Sequence, residues 1–582
     1  MNPNRKPVPS TQDFDREFRA QLAQMTTGLA PTAFTSAWAD WAMHMALAPA
    51  KRQELRTHAL ERASDTWAFA LRALAGGKVA PGEGLEDVPD RRFEGEAWTQ
   101  FPFNVYARAY QNSAALMNEA VSDVAGVTDY HRQLLGFAVR MLLDGTSPSN
   151  YLAANPELLA LTQAEGGQNL RRGLQNWVED LQATLKGTVP AGTAAFEVGK
   201  TVAATPGKVV LRNDLIELIQ YEPTTKDVHA EPLLIVPAWI MKYYILDLSA
   251  HNSLVKYLVD QGHTVFMVSW KNPDASDREL GMDDYLTLGL RAALDAVSTI
   301  VPQHKVHAVG YCIGGTLLSI GAAALARDGD RRLASVTLFA AQTDFSEPGE
   351  LAFFINPSQL ALLEASMYKK GVLESKQMAG AFAMLRSQDL IWQPIVNQYL
   401  KGERGQMIDL MAWNADGTRM PWRMHSEYLY RLYLDNELAT NRFPVDGQTV
   451  RLSDIALPMF VVGTETDHVA PWKSVYKVDN LVRSDDFTFL LTSAGHNAGI
   501  VSGPVNKKRR YRIRTRRLAE PHLAPDDWLK AATLHEGASW WPAWQQWLAA
   551  HSSARTKPPA MGASKAGYKT LGNAPGQYVR QR

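Results

Sequence analysis

Residues 306–325 read VHAVGYCIGGTLLSIGAAAL, and this stretch decides the fold. A short β-branched run at 306–310 meets a helical segment that begins near Thr316, with glycines around Cys312 at the junction. This is the nucleophile-elbow pattern G-x-S-x-G with cysteine in place of serine. The glycines suit such a turn because side chains two positions before and after the nucleophile would collide in it.

Cys312 is the chain's single cysteine and the candidate nucleophile. The helix that follows would point its N-terminus at Cys312 and favour the thiolate, and the Ile313 N–H is placed to donate to an oxyanion. A buried structural cysteine in a glycine-rich turn is the alternative interpretation. The second oxyanion donor should come from the loop after the apolar run 233–236, where we predict the Ile240 N–H, with Trp239 as the alternative.

An acid and a histidine follow later apolar runs, in the chain order that this elbow requires. The stretch TETDHVAPW (464–472) places Asp467 after the run 459–463. The stretch SAGHNAG (493–499) places His496 after the run 487–492. We therefore predict a triad of Cys312, His496 and Asp467, because three such residues at successive strand ends form a specific pattern.

Two neighbours compete for these roles. Glu465 is a weaker candidate for the acid because Asp467 lies deeper in the loop. His468 is a weaker candidate for the base than His496 because the side chains of an adjacent Asp–His pair point apart.

The alternation of apolar runs with helical segments around the elbow predicts the rest of the fold. Six runs, at 233–236, 264–270, 306–310, 335–340, 459–463 and 487–492, indicate buried parallel strands of a doubly wound α/β sheet. We expect an α/β-hydrolase-fold catalytic domain at 201–582. The break at about 343–457 indicates a cap or lid insertion over the carboxyl edge of the sheet.

The flanks of this domain have a different composition. Residues 11–185 repeat apolar side chains at helical spacing, and a Gly/Pro/Ala/Thr-rich stretch at 187–207 marks a boundary, so we expect an all-helical N-terminal domain at 1–200. The tail from Ser552 onward is rich in small, polar, proline and basic residues and is expected to be loosely ordered.

Composition excludes several classes of function. The 582 residues carry 60 Lys+Arg and 60 Asp+Glu, so the overall charge gives no reason to expect nucleic acid binding. The one cysteine cannot form an intramolecular disulfide, which suits a reducing compartment. The first residues have no apolar core of a signal peptide, and no stretch is long enough for a transmembrane segment. We expect a cytoplasmic protein.

With these residues in place, the chain resembles the class I polyhydroxyalkanoate synthases, which make polyesters such as poly-3-hydroxybutyrate. The elbow GYCIGG (310–315) matches the family's G-x-C-x-G-G box. Other stretches across nearly the whole chain look like family signatures: DRRF (90–93), SPSNYL (147–152), KYYILDL (242–248), VSWKNP (268–273), DLIW (389–392), WNAD (413–416), DHVAPW (467–472), WWPAW (540–544) and APGQYV (574–579). Three departures are Met241 in place of Asn, Asn497 in place of an aliphatic residue, and RSQD (386–389) in place of Arg-Pro-Asn-Asp.

The resemblance implies polymerisation of (R)-3-hydroxyacyl-CoA, of short chain length such as 3-hydroxybutyryl-CoA, through a thioester on Cys312. It implies that Asp467 assists activation of the attacking hydroxyl, either by orienting His496 or more directly. It also implies a homodimer, a growing polyester chain at the site, and a helical domain that supports dimer formation or association with polyester granules and their proteins. Coenzyme A belongs to the substrate and product, so no cofactor and no metal are expected.

Alternatives remain at the sequence level. A cysteine esterase or thioesterase would share the whole triad, whereas a non-catalytic granule scaffold would not need it. The basic run at 507–517 is either a solvated edge segment or a contact for the phosphates of CoA.

Overall fold

The computed structural model describes residues 11–26, 29–76, 79–83, 90–188, 190, 192–517 and 520–582. The chain forms two compact units. One, the sheet unit, comprises the described parts of Met1–Met25, Gly192–Met378 and Met407–Arg582. The other, the helical unit, comprises those of Thr26–Ala191 and Ala379–Gln406.

Short strands recur through the sheet unit. In chain order, those of the described residues are β1 Gly207–Arg212, β2 Ile216–Tyr221, β3 Leu233–Val236, β4 Val265–Trp270, β5 Val306–Tyr311, β6 Leu333–Phe339, β7 Val372–Leu373, β8 Met420–Pro421, β9 Pro444–Val445, β10 Gln448–Thr449, β11 Met459–Thr464, β12 Asp486–Thr492, β13 Arg510–Arg517, β14 Thr533–Glu536 and β15 Gly572–Asn573.

Eleven of these strands form one sheet, in the order β14-β13-β12-β11-β6-β5-β3-β4-β2-β1-β15. The six central strands from β12 to β4 run parallel, and the outer strands pair antiparallel. Alternate residues of β3 enter different apolar clusters, Leu234 and Val236 on one face and Leu233 and Ile235 on the other. The sheet is therefore buried on both faces, as parallel strands require.

The six predicted apolar runs are the six central strands, and the predicted α/β-hydrolase fold is confirmed. Strands β1, β2, β13 and β14, which pair antiparallel at the two sides of the sheet, were not predicted. Strand β13 reads RYRIRTRR, and it was not predicted as a strand because its many arginines differ from the apolar runs that indicate buried strands.

The α-helices, in chain order, are α1 Thr11–Met25, α2 Pro31–Ala46, α3 Pro49–Leu74, α4 Phe103–Val121, α5 Asp129–Thr146, α6 Pro156–Ala164, α7 Gln168–Lys186, α8 Leu254–Asp260, α9 Met282–Asp284, α10 Ala292–Ile300, α11 Ile313–Arg327, α12 Pro357–Lys370, α13 Ser375–Leu385, α14 Gln393–Ile395, α15 Asp409–Asn414, α16 Trp422–Tyr428, α17 Trp472–Tyr476, α18 Val478–Leu481, α19 Pro525–Ala531 and α20 Trp541–Ala550.

The helical unit is built on α2 to α7. Phe93 and Trp98 pack edge to face at 4.8 Å between ring centroids, against Tyr110 of α4 and Leu143 of α5. No helix of the described residues combines the length and apolar character needed to cross a membrane.

The compact units divide the chain differently from the predicted domains in two places. Residues 11–25 belong to the sheet unit, and residues 379–406, within the predicted insertion, belong to the helical unit. The rest of the insertion at 343–457 lies between β6 and β11 and contributes helices such as α12 and α16. The proposed roles of the domains stay predictions.

The prediction of a loosely ordered C-terminal tail is wrong. Strand β15 extends the large sheet by pairing with β1. The Gln220 side chain donates to the Ala560 carbonyl at 3.0 Å and accepts from the Gly562 N–H at 2.8 Å. Composition was misleading here because small and polar residues also suit a segment that is held through backbone hydrogen bonds.

Candidate active site

Cys312 lies in the turn between β5 and α11, as the elbow pattern predicts. Its backbone has φ 54° and ψ −129°, a strained conformation that a residue other than glycine adopts only when the surrounding structure imposes it. A Cβ on Gly310 would lie 2.3 Å from the Gly315 Cα, and one on Gly314 would lie 2.3 Å from the Val236 carbonyl oxygen. Glycine is therefore required at both positions for lack of space.

Asp467 follows β11 in a buried turn. Its carboxylate accepts hydrogen bonds from the Thr464 hydroxyl at 2.8 Å and from the N–H groups of Val469 and Ala470 at 2.9 and 2.8 Å. Burial alone would raise the pKa of this carboxyl group, but the charge on His496 and these hydrogen bonds hold the pKa below its usual value. Asp467 is thus kept as a carboxylate.

His496 follows β12 and links the other two residues. Its Nδ1 lies 2.8 Å from Asp467 Oδ2, and the charge of Cys312 acts on its ring. Burial would lower the pKa of the imidazole, but the charges of Asp467 and Cys312 raise it well above its usual value. The structure therefore brings together the three side chains that the sequence singled out.

The two competing residues are placed differently. Glu465 pairs with Arg510 at 2.9 Å. The histidine paired with Asp467 is His496, which follows the next strand of the sheet, rather than the adjacent His468.

His496 is supported by Tyr311, which was not predicted as part of the site. The ring of Tyr311 stacks on His496 at 5.7 Å between centroids, and the Tyr311 hydroxyl donates to Asn497 Oδ1 at 2.5 Å. Asn497 is one of the departures from the family pattern, and the structure gives it this role as acceptor for a buried phenol. The presence of Asn497 instead of an aliphatic residue was the available signal.

The predicted oxyanion donors lie at the same edge of the sheet. Ile313 begins α11, directly after Cys312. The loop after β3 adjoins the first turn of this helix, since a Cβ on Gly314 would also lie 2.5 Å from the Pro237 carbonyl oxygen. The roles of the Ile313 and Ile240 N–H groups stay predictions.

Two tyrosines of the insertion lie near the thiol. Burial raises the pKa of the Tyr428 and Tyr433 phenols, and the charge of Cys312 raises both further, so both phenols stay neutral. The Tyr428 hydroxyl donates to that of Tyr433 at 3.3 Å, and the ring of Phe345 packs against Tyr433 at 4.7 Å. The sequence did not reveal this aromatic wall because Tyr428 and Tyr433 follow an ordinary helical pattern and Phe345 lies far from them along the chain.

The basic run is mostly β13, one strand inside the edge of the sheet. Four of the five arginines of this strand pair with carboxylates: Arg510 with Glu465, Arg514 with Glu520, Arg516 with Asp479 and Arg517 with Asp486. These pairs favour a structural role for the run over a contact with phosphates.

One group of side chains in the described residues has distances suited to a metal ion, Glu54, His58 and Glu119 in the helical unit. Glu119 already lies 4.0 Å from Lys51 and 3.8 Å from Arg62. Because these cations already balance its charge, the group fits an ion-pair network better than a metal site.

A central parallel sheet, a strained elbow and an aligned cysteine, histidine and aspartate define an α/β-hydrolase-fold protein built for acyl chemistry. A family model described as "alpha/beta hydrolase fold" matches residues 231–502. Models for "Poly-beta-hydroxybutyrate polymerase (PhaC) N-terminus" and "Poly-beta-hydroxybutyrate polymerase N terminal" match residues 89–258 and 9–51.

Curated relatives match along most of the chain. A poly(3-hydroxyalkanoate) polymerase of Methylorubrum extorquens is 39% identical and covers 92% of this chain and 87% of its own. The poly(3-hydroxyalkanoate) polymerase subunits PhaC of Rhizobium meliloti and Cupriavidus necator are each 38% identical over 92% of this chain, covering 86% and 89% of their own. The chain belongs to the poly(3-hydroxyalkanoate) polymerase family, whose members are acyltransferases.

Proposed function

We propose that this protein polymerises (R)-3-hydroxyacyl groups from their coenzyme A thioesters, with short-chain substrates such as (R)-3-hydroxybutyryl-CoA preferred. The observation that carries the proposal is the His496–Asp467 pair beside Cys312, at the elbow of a chain in this family. Coenzyme A enters with the substrate and leaves as product, and the reaction needs no other cofactor and no metal.

Acylation begins when the Cys312 sulfur attacks the thioester carbonyl. His496, whose pKa is raised by Asp467 and Cys312, holds the proton of the thiol and returns it to the departing CoA sulfur. One thioester replaces another, so the acyl group stays activated for a second transfer. The predicted donors Ile313 and Ile240 stabilise the tetrahedral oxyanion.

Elongation forms an ester bond when the 3-hydroxyl of a second hydroxyacyl group attacks the Cys312 thioester. The hydroxyl proton passes to His496, the carbon–sulfur bond breaks, and Cys312 leaves as the thiolate. Asp467 accepts the Nδ1–H of the imidazole, which supports an orienting role for this carboxylate. Water competes with the hydroxyl, and the neutral aromatic wall of Phe345, Tyr428 and Tyr433 helps to exclude it.

We also propose that the enzyme is cytoplasmic and acts as a homodimer at the surface of a polyester granule. Large apolar side chains of the helical unit support the granule contact, since Trp38 of α2, Trp67 of α3 and Leu174 of α7 are 60%, 70% and 62% exposed. Charged substitutions at these three positions should lower granule binding in a sedimentation assay while leaving turnover of the substrate intact.

The test of the function is incubation of the purified protein with (R)-3-hydroxybutyryl-CoA, following thiol release and insoluble polyester together. We expect both from the wild type and neither from Cys312→Ala. Thiol release with only free hydroxy acid would identify a hydrolase and contradict the proposal. Unchanged activity in Cys312→Ala would contradict the assigned nucleophile.

A further inference from the structure

Lys242 is a buried cation that the mechanism above does not use. Its side chain is 2% exposed. The ammonium group donates to the carbonyls of Val579 and Gln581 at 2.6 and 2.5 Å and faces Asp416 at 3.4 Å. The two carbonyls accept its N–H groups and the Asp416 carboxylate balances its charge, so the ammonium has three partners. Two of the three belong to the last residues of the chain.

Those residues, 576–582, form what we call the C-terminal strap. Glu217 of β2 accepts hydrogen bonds from the N–H groups of Gln577 and Tyr578 at 2.8 and 2.9 Å. The Asn272 N–H donates to the Gln581 side chain at 3.0 Å, and Val579 is buried. Because its contacts involve β2, the loop after β4 and Lys242, the strap is anchored along its length.

Lys242 ends the loop after β3, residues 237–242, and the other side of this loop is fixed as well. The Trp270 indole donates to the Pro237 carbonyl at 2.9 Å, the Thr418 hydroxyl to the Trp239 carbonyl at 2.6 Å, and the Trp413 indole to the Lys242 carbonyl at 2.7 Å. A peptide group is planar, and its N–H points opposite to its carbonyl. The bond to Trp239 therefore fixes the direction of the Ile240 N–H, the predicted oxyanion donor.

We propose that the C-terminal strap is a positioning element for acyl transfer, acting through Lys242 to hold the loop after β3 against the elbow. Lys242 touches neither the substrate nor the reacting atoms and is a positioning residue. The inference rests on the proposed function, since it concerns the donor that stabilises the acyl-transfer intermediate.

The proposal separates two reactions of the same thiol. Acyl transfer from a thioester passes through an oxyanion and needs the loop in place. Alkylation of Cys312 by iodoacetamide is a direct displacement at carbon with no oxyanion, so it needs only the thiolate. A shifted loop should slow the first reaction and not the second.

The test compares wild type with Lys242→Met in both reactions. First-turnover CoA release from (R)-3-hydroxybutyryl-CoA should fall about tenfold to 100-fold, the effect of a misplacement of about 1 Å. The iodoacetamide rate should stay within about twofold, because the triad is unchanged. The matched control is Lys208→Met, whose ammonium binds the Asn573 side chain at 2.7 Å at the edge strand. It should change neither rate.

Lys242→Gln retains two N–H donors and serves if the methionine variant does not fold. In Lys242→Gln, acylation should again fall while the iodoacetamide rate stays unchanged, but the loss of acylation should be smaller. Acylation at the wild-type rate in these variants, or an equal fall of acylation and alkylation, would overturn the proposal. Polymer formation by the wild type tests the proposed function separately, because the ratio of variant to wild-type CoA release holds whether the acyl group ends as polyester or as free acid.

Discussion

The elbow at Cys312 and the loop after β3 adjoin each other at the site, but they are built in different ways. The conformation of the elbow depends on contiguous residues, since a Cβ on Gly310 would collide with Gly315 in the same turn. The loop has its carbonyls and Lys242 held by residues far along the chain, such as Thr418 and Gln581. A turn made by its own residues can be recognised from a short pattern, whereas a loop fixed by distant partners cannot.

The largest effect is expected at Asp467, the acid that pairs with His496 beside the elbow. Asp467→Asn should lower the rate of CoA release about 100- to 10,000-fold, because the amide cannot stabilise a protonated His496. Glu465→Gln, at a half-buried acid that pairs with Arg510 instead of His496, is the control and should stay within about twofold. A similar loss in both variants would mean that the loop conformation, and not the carboxylate, is responsible.

The same variant changes how His496 titrates. The folded protein raises the pKa of His496 well above its ordinary value of about 6.5, so this group stabilises the fold fully below about pH 6.5 and loses that contribution as the pH rises through the raised value. Asp467→Asn should lower the pKa of His496, measured as the midpoint of the chemical-shift change of its ring protons in a proton NMR titration. An unchanged titration would contradict the assigned pair.

Gly314→Ala tests the contact between the two regions. The new Cβ would lie 2.3 Å from the Val236 carbonyl, a backbone atom at the start of the loop, so one of the two segments must shift. We expect a loss of about 1–3 kcal/mol in the free energy of unfolding, together with slower acylation. Gly380→Ala, where a Cβ meets nothing within 4 Å, is the control for chemical denaturation. Equal stability of the two variants would contradict the close approach.

The smallest expected effect is at the far support of the loop. Thr418→Val keeps the shape of the side chain and removes the hydrogen bond to the Trp239 carbonyl, a loss of about 0.5–1.5 kcal/mol. Acylation should fall about two- to tenfold, with alkylation of Cys312 unchanged. Thr440→Val, at an exposed helix-type hydrogen bond to the Asn436 carbonyl, should have no effect on acylation. An increase in acylation would show that the loop is better placed without this bond.

The sequence predicted the centre of the sheet and the triad because both depend on short-range signals. Buried parallel strands appear as continuous apolar runs, and nucleophile, acid and histidine each follow such a run. The strands at the sides of the sheet gave weaker signals. The charge of β13 concealed it, since acids elsewhere in the chain, such as Asp479 for Arg516, neutralise its arginines.

The largest error was the prediction of a loosely ordered C-terminal tail. The tail, like the loop after β3, is held by residues that are distant in the sequence. The tail's order comes from partners hundreds of residues away, including Glu217 and Lys242. The aromatic wall was missed for a related reason, because the helical pattern around Tyr428 and Tyr433 does not show that their rings pack against the distant Phe345.

The most direct test of the central claim is the covalent intermediate on Cys312. After a brief reaction with (R)-3-hydroxybutyryl-CoA and an acid quench, peptide mass spectrometry should find hydroxybutyryl units on the peptide that contains Cys312. Hydroxylamine should cleave these units from the peptide, as expected if they are held by a thioester bond. Polyester formation with the acyl group on a different residue, or with no covalent intermediate, would contradict the account.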